Sequence, residues 1–269
     1  MTIVGIPHTR QTSPQSSLLE FAVLREPGQI LQASRDLADR GLVDPPTRGG
    51  PVRRVVRRWR REPDPTLVAK TWDVQRAVEV LSARLDRSDP VLDMGCFACD
   101  VLPALKRLGF QSLFGIDLNP AIRQMPYAES IHYTVGDLLS TPLPSGHFAA
   151  ITAISVIEHG VDDEPLCREV SRLLRPGGVF IFTTDYWPEK IATTERMFDL
   201  DWRIFDTGDI AGLVEVANGH NLHPVSHPAA SIREVTTPAI HFSGKDYTFL
   251  YGAFIRGDDE ARVEPAPRR

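Results

Sequence analysis

The chain has 269 residues, 42% of them hydrophobic, and a formal net charge of −5 at pH 7. It is therefore long enough to bury a large core, and its charge does not indicate bulk nucleic-acid binding. Three cysteines do not predict a disulfide scaffold, and no apolar run reaches the roughly 18 residues that span a bilayer. Met1–Arg10 lacks the basic-then-apolar pattern of a secretory leader, which predicts a protein of the reducing cytoplasm.

The first 65 residues carry no motif that we can interpret, and we predict that they form an N-terminal extension. Gln29–Arg40 is predicted to be a helix that ends at Gly41, and Asp44–Pro51 is predicted to be a linker because it contains three prolines and two glycines. We expect this extension to fold over a pocket or to form a subunit contact, as in a homodimer.

The segment Pro51–Arg61 places six arginines around four apolar residues whose spacing is helical. The plainer interpretation is an amphipathic helix that packs its apolar side on the main domain. An alternative is an anion-binding lid for a phosphorylated or carboxylated substrate, since guanidinium groups suit such anions. Nucleic-acid binding is the third and weakest interpretation.

A helix is predicted over Thr71–Leu85, where apolar residues recur on one face. It precedes the first predicted strand and should cover the edge of whatever site that strand builds. Lys70 or Trp72 could close over a ligand there, but Trp72 could equally be an ordinary core residue.

The stretch V-L-D-M-G-C-F-A-C-D, Val91–Asp100, predicts a strand, a tight loop at Gly95 and the start of a helix. A nucleotide-like ligand sits at such a junction in an α/β sheet, because helix N-terminal amides and strand carboxyl ends converge there. Asp117 ends the next strand about 20 residues later, the interval at which an acid meets ribose hydroxyls. A dinucleotide is disfavoured, because the close backbone approach of a pyrophosphate needs a second glycine where Phe97 stands.

The remaining pattern continues this alternation of strands and helices. Further strands are predicted at Ser112–Asn119, Ile131–Gly136, Phe148–Val156, Val179–Asp185 and Tyr247–Ile255, and further helices at Ala98–Leu108, Glu164–Leu174 and Asp209–Ala217. Two of the strands, Phe148–Val156 and Val179–Asp185, are almost wholly apolar, which is typical of parallel strands covered by helices on both faces. Arg175–Gly178 is predicted to be a turn, and Gly257–Arg269 a frayed tail.

Five motifs in this order resemble those of class I S-adenosylmethionine-dependent methyltransferases. They are V-L-D-M-G, G-I-D-L-N-P, V-G-D-L-L, F-A-A-I-T-A-I-S-V-I-E-H and L-L-R-P-G-G-V-F-I-F-T-T-D-Y-W. The chain is most similar to the small-molecule group with an E-H pair after the fourth strand. It departs from the family's G-x-G-x-G loop at Phe97 and Cys99.

The resemblance implies a Rossmann-like, seven-stranded, mostly parallel sheet with helices on both faces and an antiparallel closing strand. The methyltransferase domain would occupy residues 66–257, after the N-terminal extension 1–65 and before a flexible tail 258–269. The family ends its sheet with an antiparallel pair, so Leu222–Ser226 is a candidate partner of the closing strand.

The resemblance also implies where S-adenosylmethionine would bind. The loop at Asp93 and Gly95 would hold its aminocarboxypropyl end, Asp117 its ribose hydroxyls, and Asp137 the amino group of its adenine. A simple helix cap is the alternative for Asp137. The further residues expected at the cofactor are Cys96, Phe97, Leu118, Leu138 and Ser155, with Leu118 and Leu138 on either side of the base.

Cys96 and Cys99 form a C-x-x-C pair at the strand–helix junction. Such a position can lower a thiol pKa, which suits a redox pair. A zinc site would need two more ligands, and Cys167 is the one remaining cysteine. The plainer interpretation is that both are small residues in a crowded loop, and we expect no metal.

The acceptor side is predicted after the fourth and fifth strands. His159 is a candidate catalytic base, because imidazole accepts protons near neutral pH, although a structural role in positioning the loop is also open. Glu158, Tyr186 and Trp187 are candidate substrate-binding residues, and Asp185 is a candidate catalytic residue that would orient a hydroxyl. The alternative for Asp185, Tyr186 and Trp187 is that they only pack at the end of the strand, with the acid as a cap.

These features predict a small-molecule methyltransferase that most favours a hydroxyl of a sugar or secondary metabolite. Two other functions stay open at this stage. A catalytically silent scaffold would explain Phe97 and Cys99 in the loop, and a nicotinamide-dependent oxidoreductase is disfavoured by the missing glycines.

Overall fold

The computed structural model of the protein describes residues 17–43, 70–197, 199–228 and 230–258. The predicted linker at 44–51, the arginine-rich segment Pro51–Arg61 and nearly all of the predicted tail therefore lie outside the described residues. Within the described ranges, none of the helices combines the length and apolar character needed to cross a membrane.

Helices and strands alternate along the chain as the sequence pattern predicts. The helices are α1 (Pro27–Asp39), α2 (Thr71–Arg84), α3 (Val101–Arg107), α4 (Asp163–Leu173), α5 (Thr207–Gly219) and the short α6 (Ala230–Arg233). The strands are β1 (Ala22–Val23), β2 (Val91–Met94), β3 (Leu113–Asp117), β4 (His132–Val135), β5 (Phe148–Ile154), β6 (Leu174–Tyr186), β7 (Arg196–Met197), β8 (Leu200–Asp201), β9 (Leu222–Pro224), β10 (Ile240–Phe242) and β11 (Lys245–Arg256).

The main sheet has the strand order β1-β11-β6-β5-β2-β3-β4 in its continuous path. Strands β4, β3, β2, β5 and β6 run parallel to one another, and β11 lies antiparallel to β6. Strands β9 and β10 also pair with β11, both antiparallel. The predicted Rossmann-like sheet with an antiparallel closing strand is confirmed, and β9 lies at the segment proposed as the partner of that strand.

The two faces of the sheet carry separate hydrophobic cores. Along β5 the side chains alternate, so that Ala150 and Ile154 join the core under α1, α2 and α3, while Ile151 and Ala153 join the core under α4 and α5. Because β5 is buried along its whole length, it needs apolar residues on both sides. The site must therefore lie at an edge of the sheet, where loops leave the strands.

Most predicted boundaries differ from the structure by a few residues, and two of these differences have a clear cause in the backbone. Helix α3 begins at Val101 and not at Ala98, because Ala98 has φ +66°, which a right-handed helix cannot contain. Strand β6 begins at Leu174, opposite Phe148, and pairing with β5 resumes at Val179. The predicted turn Arg175–Gly178 is thus a bulge inside the strand.

The N-terminal segment 17–43 adds strand β1 to this sheet and packs helix α1 beside it. The sequence pattern predicted the helix but not the strand. Strand β1 pairs antiparallel with β11 at Tyr251 and Leu250, and the Leu24 amide donates to the Phe249 carbonyl over 2.9 Å. Leu37 of α1 is fully buried in the same core as the α2 side chains. The described part of the extension therefore shares the core of the main domain.

Two glycine-to-alanine changes should have opposite effects on stability. A Cβ at Gly252 of β11 would lie 2.4 Å from Cζ of Phe182 and 2.8 Å from Cε1 of Phe21, so we expect Gly252→Ala to lower the free energy of unfolding by about 1–3 kcal/mol. Gly212, in the interior of α5, has no atom within 4 Å of an added Cβ, and Gly212→Ala should raise that free energy by about 0.5–1 kcal/mol. Urea unfolding of both variants tests this, and a loss for Gly212→Ala equal to that for Gly252→Ala would contradict it.

Candidate cofactor and acceptor site

A crevice is expected where the strand order reverses. Strand β2 lies between β5 and β3, and the chain continues from β2 to β3 on one side and from β5 to β6 on the other. Ligands of open α/β sheets bind outside the carboxyl ends of the strands at such a point. The loops after β2, β3, β5 and β6 carry nearly all the predicted site residues.

The loop after β2 turns tightly at Gly95. This glycine has φ +68°, and a Cβ there would lie 2.5 Å from Cγ2 of Val156 in the loop after β5. Its amide donates to the Ile116 carbonyl of β3 over 2.8 Å. Gly95 therefore allows the two strand-end loops to approach each other closely.

Asp117, at the end of β3, binds the β2 loop. Its Oδ2 accepts the Phe97 amide at 2.9 Å, and its Oδ1 accepts the Asn119 amide at 2.8 Å. Burial raises the pKa of Asp117, against the opposing effects of these amides and of the Lys70 ammonium. Each carboxylate oxygen can accept more than one hydrogen bond, so Asp117 keeps capacity for ribose hydroxyls.

Leu118 and Leu138 are placed differently. Leu118, next to the half-buried Asp117, leaves 60% of its surface exposed, which is unusual for a large apolar side chain. Leu138 is buried in the core under α4 and α5. Leu118 is therefore the residue of this pair that offers an open apolar face to a flat ring.

Asp137 follows β4, which is the neighbour of β3. The Gly136 amide donates to the Asp117 backbone carbonyl over 3.0 Å, so the two acidic strand ends are adjacent. Asp137 is exposed, and its Oδ1 accepts the Leu139 amide at 2.8 Å. This bond stabilises the local turn and engages one of the two carboxylate oxygens.

Asp93 lies inside the protein, below the crevice. It is 1% exposed, and its Oδ1 accepts the Thr152 hydroxyl at 2.6 Å. Burial raises its pKa to about 7, although Thr152 and Cys99 oppose this. Asp93 therefore supports the strand ends from below.

Cys96 and Cys99 are both buried free cysteines. A Cβ at Gly115 would lie 2.6 Å from Sγ of Cys96, so this thiol fills space against β3. Burial, followed by the charge of Asp93, raises both pKa values well above the ordinary range. This favours the plainer interpretation of two packed thiols over a reactive redox pair.

Lys70 stands at the start of α2 beside the β2 loop. It lines a small cavity with Val43, Ala98, Asp100 and Ile154 among others. Its positive charge lowers the pKa values of Asp73, Asp93, Asp117, Glu158 and Asp185. Lys70 is therefore close enough to these five acids to stabilise their charged forms. It is one of the two residues predicted to close over a ligand. Trp72, the other, is 5% exposed and packs in the core.

Two positions in the site have left-handed backbone without being glycine. Ala98, after β2, has φ +66°, and Ser155, after β5, has φ +51°. The Ser155 amide donates to Oγ1 of Thr183 at 3.0 Å, and its hydroxyl donates to Oδ2 of Asp73 at 3.3 Å. Residues held in this way are enriched at ligand sites.

Asp185, at the end of β6, is 6% exposed. The Trp202 indole donates to its Oδ2 at 2.7 Å, and the Tyr247 hydroxyl also bonds to it. Burial raises the pKa of Asp185, while these donors and Lys70 oppose the rise. Trp202 and Tyr247 lie in edge contact with ring centroids 6.0 Å apart, so an aromatic wall backs this acid.

Tyr186 and Trp187 diverge from Asp185. Tyr186 is fully buried, and its hydroxyl donates to the Ile232 carbonyl at 3.0 Å. This placement gives Tyr186 a packing role in the opposite core and does not support its predicted contact with an acceptor. Trp187 is half-buried and touches both cores, so it stays a candidate.

Glu158 and His159 follow β5 in different environments. Glu158 is 1% exposed. Burial is the main cause that raises its pKa well above the ordinary range, and the charge of Asp185 adds to this effect, while the charge of Lys70 opposes it. The Arg203 amide donates to the Glu158 backbone carbonyl at 2.9 Å, which joins this loop to the segment after β8. His159 is half-buried at the next position.

Asp73, Trp202 and Tyr247 are site residues that sequence reasoning missed. Asp73, in the first turn of α2, is fully buried, and burial raises its pKa to about 8. An acid in the first turn of a helix is common at the surface, so only tertiary packing distinguishes this one. Trp202 lay in a segment without a predicted element.

The comparisons with known proteins agree with this geometry. Residues 92–182 match the family described as a methyltransferase domain. A ubiquinone biosynthesis O-methyltransferase of Xanthomonas oryzae pv. oryzae is 31% identical over 126 residues, 43% of this chain and 52% of that protein. The sterol 24-C-methyltransferase erg6 of Aspergillus fumigatus is 30% identical over 98 residues, 34% of this chain and 26% of that protein. The chain spans about half the length of the first of these relatives.

Solved structures share the fold. Phosphoethanolamine N-methyltransferase 2 of Haemonchus contortus, in complex with S-adenosyl-L-methionine, aligns with a TM-score of 0.51 at 13% identity, over 70% of this chain and 53% of that one. A geranyl diphosphate methyltransferase in complex with SAM aligns with a TM-score of 0.50 at 19% identity, over 72% and 91%. The strand order and the match of residues 92–182 therefore agree: this part of the chain is a methyltransferase domain with a Rossmann-like fold.

Proposed function

We propose that the chain transfers a methyl group from S-adenosylmethionine to a small-molecule acceptor. The observation that carries this proposal is the pairing of two acids, Asp117 and Asp137, at the ends of adjacent parallel strands. Leu118, the residue after Asp117, is an apolar side chain left 60% exposed. This arrangement supports a site in which Asp117 binds the ribose hydroxyls of the cofactor and Asp137 binds the amino group of its adenine.

The residues present suit this cofactor in three respects. Asp117 retains acceptor capacity for two vicinal hydroxyls. Gly95 keeps the β2 loop free of a side chain at its closest approach to Val156. Lys70 places an ammonium in the cavity beside that loop, where it would pair with the carboxylate of the methionine end. Asp93 and Ser155 support the loops that would surround that end.

The chemistry asks little of the protein beyond alignment. S-adenosylmethionine, when bound, supplies an electrophilic methyl group whose leaving group is a neutral thioether. The chain's residues would hold the acceptor in line with that methyl group, and most of the rate gain would come from proximity and orientation. A hydroxyl acceptor also needs a group that accepts its proton, and His159 and Glu158 are the candidates after β5.

A hydroxyl of a sugar or secondary metabolite is the acceptor that we propose first. Asp185, held by Trp202 and Tyr247, would orient a hydroxyl, and Trp187 would offer an aromatic surface for a flat ring. The Xanthomonas relative is also named as an O-methyltransferase. A cytoplasmic location and a homodimer stay predictions.

Calorimetric titration of the full chain tests this proposal. We expect S-adenosylhomocysteine to bind with a dissociation constant in the micromolar range, and a library of hydroxylated small molecules to yield a methylated product with labelled S-adenosylmethionine. NADH serves as the matched control and should not bind. Absence of S-adenosylhomocysteine binding at millimolar concentration would contradict the proposal.

A catalytically silent scaffold is the second candidate. Phe97 and Cys99 occupy positions where the family usually has glycine, and the Phe97 amide already donates to Asp117. If this contact persists with excess ligand present, the crevice would stay closed. Absence of binding at millimolar S-adenosylmethionine would favour this function.

A further inference from the structure

Three buried acids from different elements meet on the acceptor side of the crevice. Asp73 belongs to α2, Glu158 follows β5 and Asp185 ends β6, and they are 0%, 1% and 6% exposed. The charges of Asp73 and Asp185 both act on Glu158, together with the charge of Lys70. Among the described residues, no group of three His, Cys or acidic side chains is arranged to hold a metal ion.

Glu158 differs from the other two because no other described side chain donates a hydrogen bond to it, although Oδ1 of Asp73 is also buried without a partner. Asp185 accepts the Trp202 indole, and Asp73 accepts the Ser155 hydroxyl. Oε2 of Glu158 is buried and has no hydrogen-bond partner among the described residues. The Glu158 carboxylate accepts a hydrogen bond from the backbone amide of the same residue. A buried carboxyl oxygen without a partner costs stability, and such costs are typically kept where a ligand completes the site.

We propose that Glu158 holds a proton in the empty site, releases it when the cationic methyl donor binds, and then accepts the proton of the acceptor hydroxyl. Asp185, fixed by Trp202 and Tyr247, places a negative charge near Glu158 that favours the protonated form of Glu158. This inference rests on the proposed function, and it assigns to Glu158 the role that sequence reasoning gave to His159.

The step balances in atoms and charge. The acceptor oxygen forms a bond to the methyl carbon, the carbon–sulfur bond breaks, and its electron pair stays on sulfur as a neutral thioether. The hydroxyl proton passes to the Glu158 carboxylate, which becomes a carboxylic acid. The products are S-adenosylhomocysteine, the methyl ether and protonated Glu158, which is the state of the empty site.

The surroundings of Glu158 explain why it would be protonated before the donor binds. Burial and the nearby acids Asp185 and Asp73 favour its neutral form, Lys70 opposes them, and Tyr247 lies close enough to feel its charge. The sulfonium of S-adenosylmethionine adds a positive charge to this desolvated space, which favours the carboxylate. S-adenosylhomocysteine has no sulfonium and should leave the proton in place.

Proton release on ligand binding tests the proposal without knowledge of the acceptor. Titrations of the full chain with S-adenosylmethionine and with S-adenosylhomocysteine, each in phosphate and in Tris at pH 7.5, give the number of protons released. We expect about one more proton for S-adenosylmethionine than for S-adenosylhomocysteine. Glu158→Gln should abolish the difference, and the matched variant His159→Gln should retain it. Asp185→Asn should reduce it while leaving S-adenosylhomocysteine affinity within about threefold.

The possible outcomes distinguish a failure of the proposed function from a failure of the assignment to Glu158. If neither ligand binds the wild-type chain, the proposed function fails. If both bind with equal proton release, or if His159→Gln and not Glu158→Gln removes the difference, the assignment to Glu158 is overturned while the proposed function stands. Should Glu158→Gln fail to fold, Glu158→Met fills a similar volume without a carboxyl group and is expected to remove the difference in the same way.

Discussion

Replacing Asp117 with asparagine should weaken the binding of S-adenosylhomocysteine by at least about 100-fold. Two ribose hydroxyls would lose a charged acceptor, and hydrogen bonds to charged groups contribute about 1.5–3 kcal/mol each. Asparagine also has a single acceptor oxygen, so either the Phe97 amide or the Asn119 amide would face an NH₂ group in place of the carboxylate oxygen it now meets. Calorimetry gives the change in dissociation constant directly.

Glu129→Gln is the matched control for this charge loss. Glu129 is an exposed acid in the loop before β4, and its replacement should leave affinity within about twofold. Thermal melting of both variants separates a loss of binding from a loss of fold. If Asp117→Asn binds S-adenosylhomocysteine as tightly as the wild type, the crevice at the end of β3 is not the cofactor site.

The free protein should be more stable at pH 5.5 than at pH 8, and Asp73 should cause much of the difference. Its pKa is raised from 3.8 to about 8, chiefly by burial, so between these values the folded state holds a proton that the unfolded chain has lost. The free energy of unfolding therefore falls as pH rises through this window and levels off above it. Between pH 5.5 and 8, Asp73 alone accounts for about 3 kcal/mol.

Asp73→Asn should flatten this pH dependence by about one proton. Asparagine keeps an oxygen for the Ser155 hydroxyl but does not ionise, whereas Asp93, with a pKa of about 7, titrates in the same direction in both proteins. Urea unfolding at pH 5.5, 6.5, 7.5 and 8.5 measures the slope, with Glu129→Gln as the control. Parallel curves for wild type and Asp73→Asn would show that Asp73 keeps the same charge state in the folded and unfolded chains.

The sequence predicted the elements that local pattern determines. The apolar runs of β5 and β6 predicted parallel strands buried on both faces, and Asp93, Gly95 and Asp117 marked the strand ends correctly because acids and glycine interrupt apolar strands there. The start of α3 could not be placed, since the left-handed backbone of Ala98 depends on the packing of the loop after β2.

The sequence pattern did not predict which polar side chains are buried. Asp73 and Trp202 come from segments far apart in the chain, and only the folded sheet brings both close to Asp185. Tyr186 and Asp185 are adjacent in sequence yet point to opposite faces of β6, because side chains alternate along a strand. The predicted contact of Tyr186 with an acceptor overlooked this alternation.

The pairing of β1 with β11 has a consequence for synthesis on the ribosome. Residues 22–23 are made early but pair with residues 250–251, so the first strand cannot dock until nearly the whole sheet has been translated. Contacts of such high sequence separation form late, and chains still in synthesis would expose apolar residues beside β1, such as Phe21, whose ring packs against Phe254 of β11. Chaperone capture is therefore expected for nascent chains that stop short of β11 and should end once that strand has emerged.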